Sequence, residues 1–367
     1  MRVLYAGTHF SLYTTQLMAA ACNCEVRAFL PIENYQAEVA GLPHPQIELF
    51  RRANWRDPLT FMSAIFQFRN LLATWRPHIV HFQETETDLA FALWQQANRA
   101  RKILSIHDVD PHPGEKRAPR SRRYIRRMRL HADALIVHGQ TLKQQLASAS
   151  GPPPEAIWVM PHPALPVGPG VRSLEDFQGT TFLLMGRMTA YKGVDVLVRA
   201  AKQLESTPRD FRVVIAGAGP ALEKLRGPIS EINSITLIDR FLTPSEMDGL
   251  LRQADCLVLP YTEASASGIL AQAASIGLPA IATSVGSLPE YVVNGVTGWL
   301  VPPADQMALV QAMAEAADNP ARLQQFRTAS LVVRDSYSLD KIGSRLAEVY
   351  ASAIAGPTKP LRRSSSG

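Results

Sequence analysis

Residues 181–204, TFLLMGRMTAYKGVDVLVRAAKQL, read as an apolar strand (Thr181–Met185), a turn bounded by Gly186 and Gly193, and a helical run (Val194–Leu204). A strand feeding a helix through a short turn is the repeating unit of a parallel sheet, because parallel neighbours need a crossover between them. The unit recurs downstream, with strands expected at Arg212–Ala216, Ser234–Ile238, Cys256–Leu259 and Pro279–Ala282. It recurs upstream at Val3–Tyr5, Glu25–Leu30, Ile79–His81, Lys102–Ile106, Ala134–Val137 and Ile157–Met160. Between the two sets, the Pro/Gly-rich stretch Pro161–Gly170 cannot sustain a helix or a central strand. The expected fold is α/β, with two Rossmann-like doubly wound parallel-sheet domains facing across a cleft. Their expected bounds are 1–165 and 175–335, followed by a helix over 336–356 that crosses back to the first domain and a disordered polar tail, 357–367.

Composition agrees with this picture. The 367 residues are 46% hydrophobic and 19% charged, which gives enough apolar surface for two cores and excludes wholesale disorder. Cys22, Cys24 and Cys256 are odd in number and lack a partner motif, so neither a disulfide framework nor a four-ligand zinc site is expected, and the expected compartment is a reducing cytoplasm. The N-terminal MRVLYAGT passes directly from strand to glycine turn, without the basic start and long apolar stretch of a signal peptide. The longest weakly polar run, Gly268–Thr283, is broken by Gln272, Ser275, Gly277 and Pro279 and is shorter than the ~20 apolar residues that span a bilayer.

The formal net charge of +6 is local. Residues 116–129, KRAPRSRRYIRRMR, hold eight Lys or Arg and no acid, more than the whole excess. One patch is not the spread basic face of a nucleic-acid-binding protein, so no nucleic acid is expected as a partner. The periodicity from Tyr124 predicts a basic helix over Arg120–Leu130, with Ile125, Met128 and Ala132 on one face. It is either a solvated helix whose arginines pair with acids on neighbouring elements or one that meets an anionic membrane surface or an anionic ligand.

In the second half, Arg187 and Lys192 stand on a strand-to-helix turn. A planar fork of donors and a compact point charge together suit a diphosphate. The turn Gly217-Ala-Gly219-Pro220-Ala-Leu222 lacks the third glycine of a dinucleotide fingerprint, and Leu222 stands where close helix packing is needed, so NAD is not expected despite Asp239 downstream. Between Pro260 and Pro279 a strand ends, small polar residues follow, and a helix begins near Gly268. Ser265, Ser267 and the free N–H groups of that helix start form an anion site, and Gln272 stands one turn further on, within reach of a ribose hydroxyl. Glu263 is the carboxylate of that turn.

These blocks, taken in order with Gly286-Ser-Leu-Pro-Glu290 through Gly298-Trp-Leu-Val-Pro-Pro303, resemble family 4 glycosyltransferases of the GT-B fold, a retaining, metal-independent class. The resemblance implies that Arg187 and Lys192 bind the donor diphosphate. It puts the backbone of Ser267, Gly268 and Ile269 on the distal phosphate and sugar, and Leu242 beside the nucleobase. It also gives Gly217 and, after the first strand, Gly7 donor-side turns. The family's pair of acids eight residues apart is altered: Glu263 and Gln272 are nine apart, and the second is an amide, as in a Ser-x-Ser-Gly subgroup. The first half resembles the acceptor domain more loosely. His107 follows the Lys102–Ile106 strand where the family places the histidine that faces the donor sugar, and Asp108 is expected to orient it or meet the acceptor hydroxyl. His138 and His162 match family positions expected to be structural.

Asp108-x-Asp110 imitates the metal motif of the other glycosyltransferase fold, but Arg187 and Lys192 already supply that charge, so no metal and no cofactor is expected. The expected activity is transfer of a sugar from UDP or GDP to a hydroxyl. The acceptor would be a saccharide or lipid-linked saccharide of bacterial cell-surface polysaccharide, at the cytoplasmic face of the membrane. A non-catalytic sugar-nucleotide binder and a GT-B epimerase are the alternatives.

Overall fold

The computed structural model describes residues 1–21, 23–39, 46–53, 56–111, 118–149, 152–164, 167–172 and 174–356. Cys22, residues 112–114, Lys116, Arg117, three positions of the proline-rich stretch and its continuation (165, 166 and 173) and the 357–367 tail lie outside them. The chain divides into two compact units. The first is built from Met1–Pro111, residues on to Pro163 and the chain from Leu339, and the second from Ala164–Ser338.

In the first unit, strands β1 (Arg2–Ala6), β2 (Glu25–Pro31), β3 (Ile47–Phe50), β4 (Ile79–Gln83), β5 (Arg101–Ile106), β6 (Ala134–Val137) and β7 (Ile157–Val159) form a parallel sheet in the order β3-β2-β1-β4-β5-β6-β7. Helices α1 (Ser11–Ala20), α2 (Ile32–Val39), α3 (Pro58–Trp75), α4 (Asp88–Gln96), α5 (Pro119–His131) and α6 (Gln140–Ser148) connect them. In the second unit, β8 (Thr180–Met185), β9 (Phe211–Ala216), β10 (Ile235–Ile238), β11 (Cys256–Leu259), β12 (Ala280–Thr283) and β13 (Gly298–Val301) run in the order β10-β9-β8-β11-β12-β13. They are joined by α7 (Val194–Glu205), α8 (Arg226–Ser230), α9 (Pro244–Gln253) and α10 (Gly268–Ser275), with α11 (Gln306–Asp318) and α12 (Pro320–Val333) after β13. The last helix, α13 (Leu339–Ala355), packs on α1 of the first unit.

Every residue of β4, β6, β8, β11 and β12 is buried, as a parallel sheet covered on both faces requires. Right-handed crossovers put α3, α4 and α5 on one face of the first sheet and α1, α2 and α13 on the other. The two strands without a counterpart in the sequence reading, β3 and β13, are four-residue edges. A strand that short offers little alternation to read, and β3 exposes Glu48 and Leu49. Four expected strands begin one residue earlier, β1 at Arg2, β5 at Arg101, β8 at Thr180 and β9 at Phe211, and two begin one residue later, β10 at Ile235 and β12 at Ala280, the last because Pro279 has no N–H to pair and contributes only its carbonyl, to Leu257 N. In each sheet the strand order reverses once, between β1 and β4 and between β8 and β11. The carboxyl ends beside such a reversal are where open α/β sheets receive ligands.

Candidate functional site

In the second unit the switch point is built by backbones that cross very closely. Gly193 (φ 64) closes the turn after β8, and a Cβ there would stand 1.9 Å from the Pro260 carbonyl oxygen at the end of β11. At Gly217 (φ 142), after β9, a Cβ would meet the Gly186 oxygen at 1.9 Å. Glycine is therefore a packing requirement at both positions. The turns are stitched by Met188 N to Ala218 O, 2.9 Å, and Thr262 N to Tyr191 O, 2.8 Å. Within this frame the Lys192 ammonium lies beside Gly186, donates to Tyr261 Oη at 2.6 Å, and stands 4.3 Å from the centre of that ring. Burial works against its charge, but Tyr261 and Tyr191 outweigh burial and hold its pKa above the ordinary lysine value, with the neighbouring Arg187 opposing. Arg187 is exposed, and among the described residues neither cation has a carboxylate partner.

α10 begins next to this pair in the chain order of the switch point. Ser267 is its N-cap, buried with Ser265, and its side chain makes no capping bond, so the first N–H groups of the helix are not consumed by it. Ser265 O accepts from Ser287 N at 3.0 Å, while the buried Ser287 and Thr189 hydroxyls have no partner. Orphaned polar groups on ligand-side turns are expected where a polar ligand completes them. Glu263, Gly268, Ile269 and Gln272 are half-buried on the same turn and helix. Leu242 packs its half-buried side chain on the core after β10, next to Phe241, which is 80% exposed. Asp239, the residue a dinucleotide reading would assign to ribose, is paired with Arg226 at 2.6 Å, and Leu222 is fully buried.

In the first unit, His107 follows β5, His138 follows β6 and His162 lies just beyond β7. Because these strands are neighbours, their ends gather the three imidazoles: centroids are 5.3 Å apart for His107 and His138, and 5.1 Å for His138 and His162. The expectation that His138 and His162 are structural is thus refined, since both belong to the ring cluster around His107. Phe10 stacks on His107 at 3.9 Å from a left-handed backbone (φ 63), and Tyr13 meets it edge-on at 4.6 Å. A non-glycine residue held there costs on the order of 1 kcal/mol, typical of backbone constrained at a site. His107 Nε2 donates to Gln83 Oε1 at 3.1 Å, which puts the neutral ring's proton on Nε2. Burial first, then His162, pull the His107 pKa down to about 3 against the opposing charge of Asp108. Burial also lowers His162 to about 4 and His138 well below the usual range. These imidazoles are neutral at physiological pH. Gly7 follows β1 beside this group, with Gln83 Cγ 3.4 Å from where its Cβ would be.

Beneath the rings runs a buried polar chain. Tyr350 of α13 bonds Tyr5 Oη (2.8 Å) and His81 Nδ1 (2.9 Å), His81 Nε2 bonds Ser105 Oγ (2.8 Å), and Ser105 meets Tyr13 Oη (3.3 Å). The turn that carries His107 is clamped by Arg129. Its guanidinium donates to both oxygens of Glu84 (2.7 and 2.6 Å) and to the carbonyls of Asp108 and Val109 (3.1 Å each). Arg129 thus pairs with buried Glu84 and Arg120 with Asp88, as the alternative of a helix whose arginines pair with neighbouring acids expects. Asp110 is exposed and accepts from Gln145 (2.8 Å), while Asp108 stays beside His107.

The sequence matches the family described as Glycosyl transferase 4-like domain over residues 11–163 and the family described as Glycosyl transferases group 1 over residues 179–319. The chain belongs to the group 1 glycosyltransferases of the GT-B fold. It is 30% identical over 172 residues to alpha-D-kanosaminyltransferase of Streptomyces kanamyceticus, covering 46% of this chain and 44% of that one. Alignments to the curated relatives span 34% to 58% of their lengths. Among solved structures, sucrose-phosphate synthase of Thermosynechococcus elongatus is similar over 97% of this chain and 99% of its own, with TM-score 0.77 and 17% identity. Anabaena Alr3699/HepE in complex with UDP and glucose is similar over 96% and 100%, with TM-score 0.77 and 14% identity.

Proposed function

We propose that the protein is a retaining, metal-independent hexosyltransferase that moves a sugar from a nucleoside diphosphate, UDP or GDP, to a hydroxyl of a saccharide or lipid-linked saccharide in bacterial cell-surface polysaccharide assembly. The observation that carries this reading is the pair Arg187 and Lys192. These are two cations without a carboxylate partner among the described residues, at the strand-order reversal that leads into α10. As the glycosidic bond breaks, negative charge grows on the β-phosphate. The Arg187 fork, the Lys192 ammonium and the first N–H groups of α10, at Gly268 and Ile269, stabilise it. Those groups supply the charge that a metal would otherwise bring, so the reading needs neither metal nor cofactor.

A neutral His107 suits a sugar carbon that becomes positive, because it turns a ring dipole toward that charge without adding a like charge of its own. Asp108 orients it or meets the acceptor, and Glu263 and Gln272 address the sugar and ribose hydroxyls. The acceptor oxygen bonds to the anomeric carbon from the face that the phosphate leaves, and its proton passes to the departing phosphate. Gly217 and Gly7 close turns behind the donor, and Leu242 borders the base. Relatives named for saccharide transfer, and a structural neighbour solved with UDP, support the donor class. Residues 116–130 are assigned to an anionic membrane surface on the cytoplasmic side, and no nucleic acid is involved. Among the described residues, no helix is long and apolar enough to cross a membrane.

A thermal-shift panel of UDP, GDP and ADP without metal tests the donor site. One diphosphate should raise Tm for the wild type and leave R187A/K192A unmoved. A response that requires magnesium, or none at all, overturns the reading. Product NMR with the accepted donor should show the donor's anomeric configuration, and an inverted product overturns the retaining mechanism.

A further inference from the structure

On the first unit, α3 buries Ala64, Phe68, Leu71 and Trp75 against the sheet. It turns Leu59, Met62 and Phe66 the opposite way, where they are 84%, 59% and 74% exposed. Positions 59, 62 and 66 form one stripe of a helix, and at 3.6 residues per turn it lies across the helix from the buried stripe. A helix whose outer face meets only water carries polar residues there, so this contiguous apolar stripe is surface that the fold itself does not use. α3 contains no carboxylate from Pro58 to Trp75, and the Asp57 side chain is occupied in capping the helix at Thr60 N.

α4 separates α3 from α5 on the same face of the sheet. α5 buries Ile125 and Met128 and exposes Arg122, Arg123, Arg126 and Arg127. Among the described residues these four have no ion-pair partner, whereas Arg120 is answered by Asp88 and Arg129 by Glu84. The same helical layer thus carries an apolar stripe at α3 and unanswered cations at α5, both turned away from the sheet.

We propose that this layer docks on a bilayer containing anionic lipid. Leu59, Met62 and Phe66 of α3 enter the headgroup–acyl boundary, and the α5 arginines meet the headgroup charge. Apolar side chains beside cations of a single sign are the signature of interfacial binding, and a lipid surface offers negative charge over an area as wide as two helices. The inference deepens the proposed lipid-linked acceptor and rests on that reading only for the acceptor's nature. It adds α3, which the basic run alone does not point to.

Co-sedimentation with phosphatidylcholine vesicles, with and without phosphatidylglycerol, tests it, with UDP thermal shift measured in parallel. The wild type should pellet with the anionic vesicles. L59Q/M62Q/F66Q should partition roughly tenfold less while keeping its circular dichroism and UDP response. R122Q/R123Q/R126Q/R127Q should lose the dependence on phosphatidylglycerol and on salt. A wild type that responds to UDP but stays in the supernatant overturns the docking surface and leaves the donor reading intact. One that pellets but responds to none of UDP, GDP and ADP does the reverse. An α3 variant that pellets like its parent, or a wild-type dimer that the α3 variant breaks, overturns the role of the stripe.

Discussion

At the end of β5 the first unit presents an imidazole wedged among rings, and at the end of β8 the second presents an ammonium held over glycines. Both are parallel sheets with one reversal of strand order, yet their chemistry is divided. All nine histidines of the chain lie at or before His162, and none lies in Ala164–Ser338. The first unit builds its site from side chains, with stacked rings, a buried ion pair and a polar chain that reaches Tyr350. The second builds its site from backbone, with turns packed so closely that only glycine fits. A site of side chains can be tuned one residue at a time, whereas a site of crossing backbones tolerates little change but holds free N–H groups in place at no further entropic cost.

The contrast predicts different sensitivities. The largest effect is expected at Gly193: G193V drives a side chain into the Pro260 carbonyl at a positive φ. It should destabilise the second unit by more than about 4 kcal/mol, read as loss of hydrogen-exchange protection across β8–β13 with β1–β7 less affected. R129M comes next. It leaves the Glu84 carboxylate buried and unpaired, at a cost of about 3 kcal/mol in the first unit, while E84Q/R129M should recover part of that loss in a denaturant titration.

The most diagnostic effect is acid. His81 and His107, each near 3, and His162, near 4, titrate below their ordinary value of 6.5. The unfolded chain therefore binds more protons between about pH 6.5 and 4, and the first unit loses stability as pH falls through that window. Charging of histidine in the unfolded chain drives the loss. Hydrogen exchange at pH 7 and pH 5 should show protection falling in β4–β7 and unchanged by histidine in β8–β13. An equal fall in both units contradicts the division.

Legibility followed distance along the chain. The Gly186–Gly193 turn with its two cations is local, so turn chemistry and the switch from strand to helix exposed it. Lys192's partner Tyr261 is 69 residues away and carried no signal of its own. Arg129 was one of eight cations in a run, and nothing in that run tells which of them meets a carboxylate 45 residues earlier. His107 was visible as a strand-end histidine, whereas its aromatic setting was not: Phe10 becomes a stacking partner only through a backbone conformation that side-chain identity does not encode.

Local pattern alone sets the alternation of strands and helices, the α/β class, the place of the break between the sheets and the cations after β8. These depend on periodicity, glycine and proline, which act over a few residues. Which residues meet depends instead on how distant elements pack. The order β5-β6-β7 gathers three histidines, the return of α13 inserts Tyr350 beneath them, and α3 is left with an apolar stripe facing outward. Such pairings arise from the packing of elements far apart in the chain, where burial and hydrogen bonding are satisfied collectively and no local pattern records the partner.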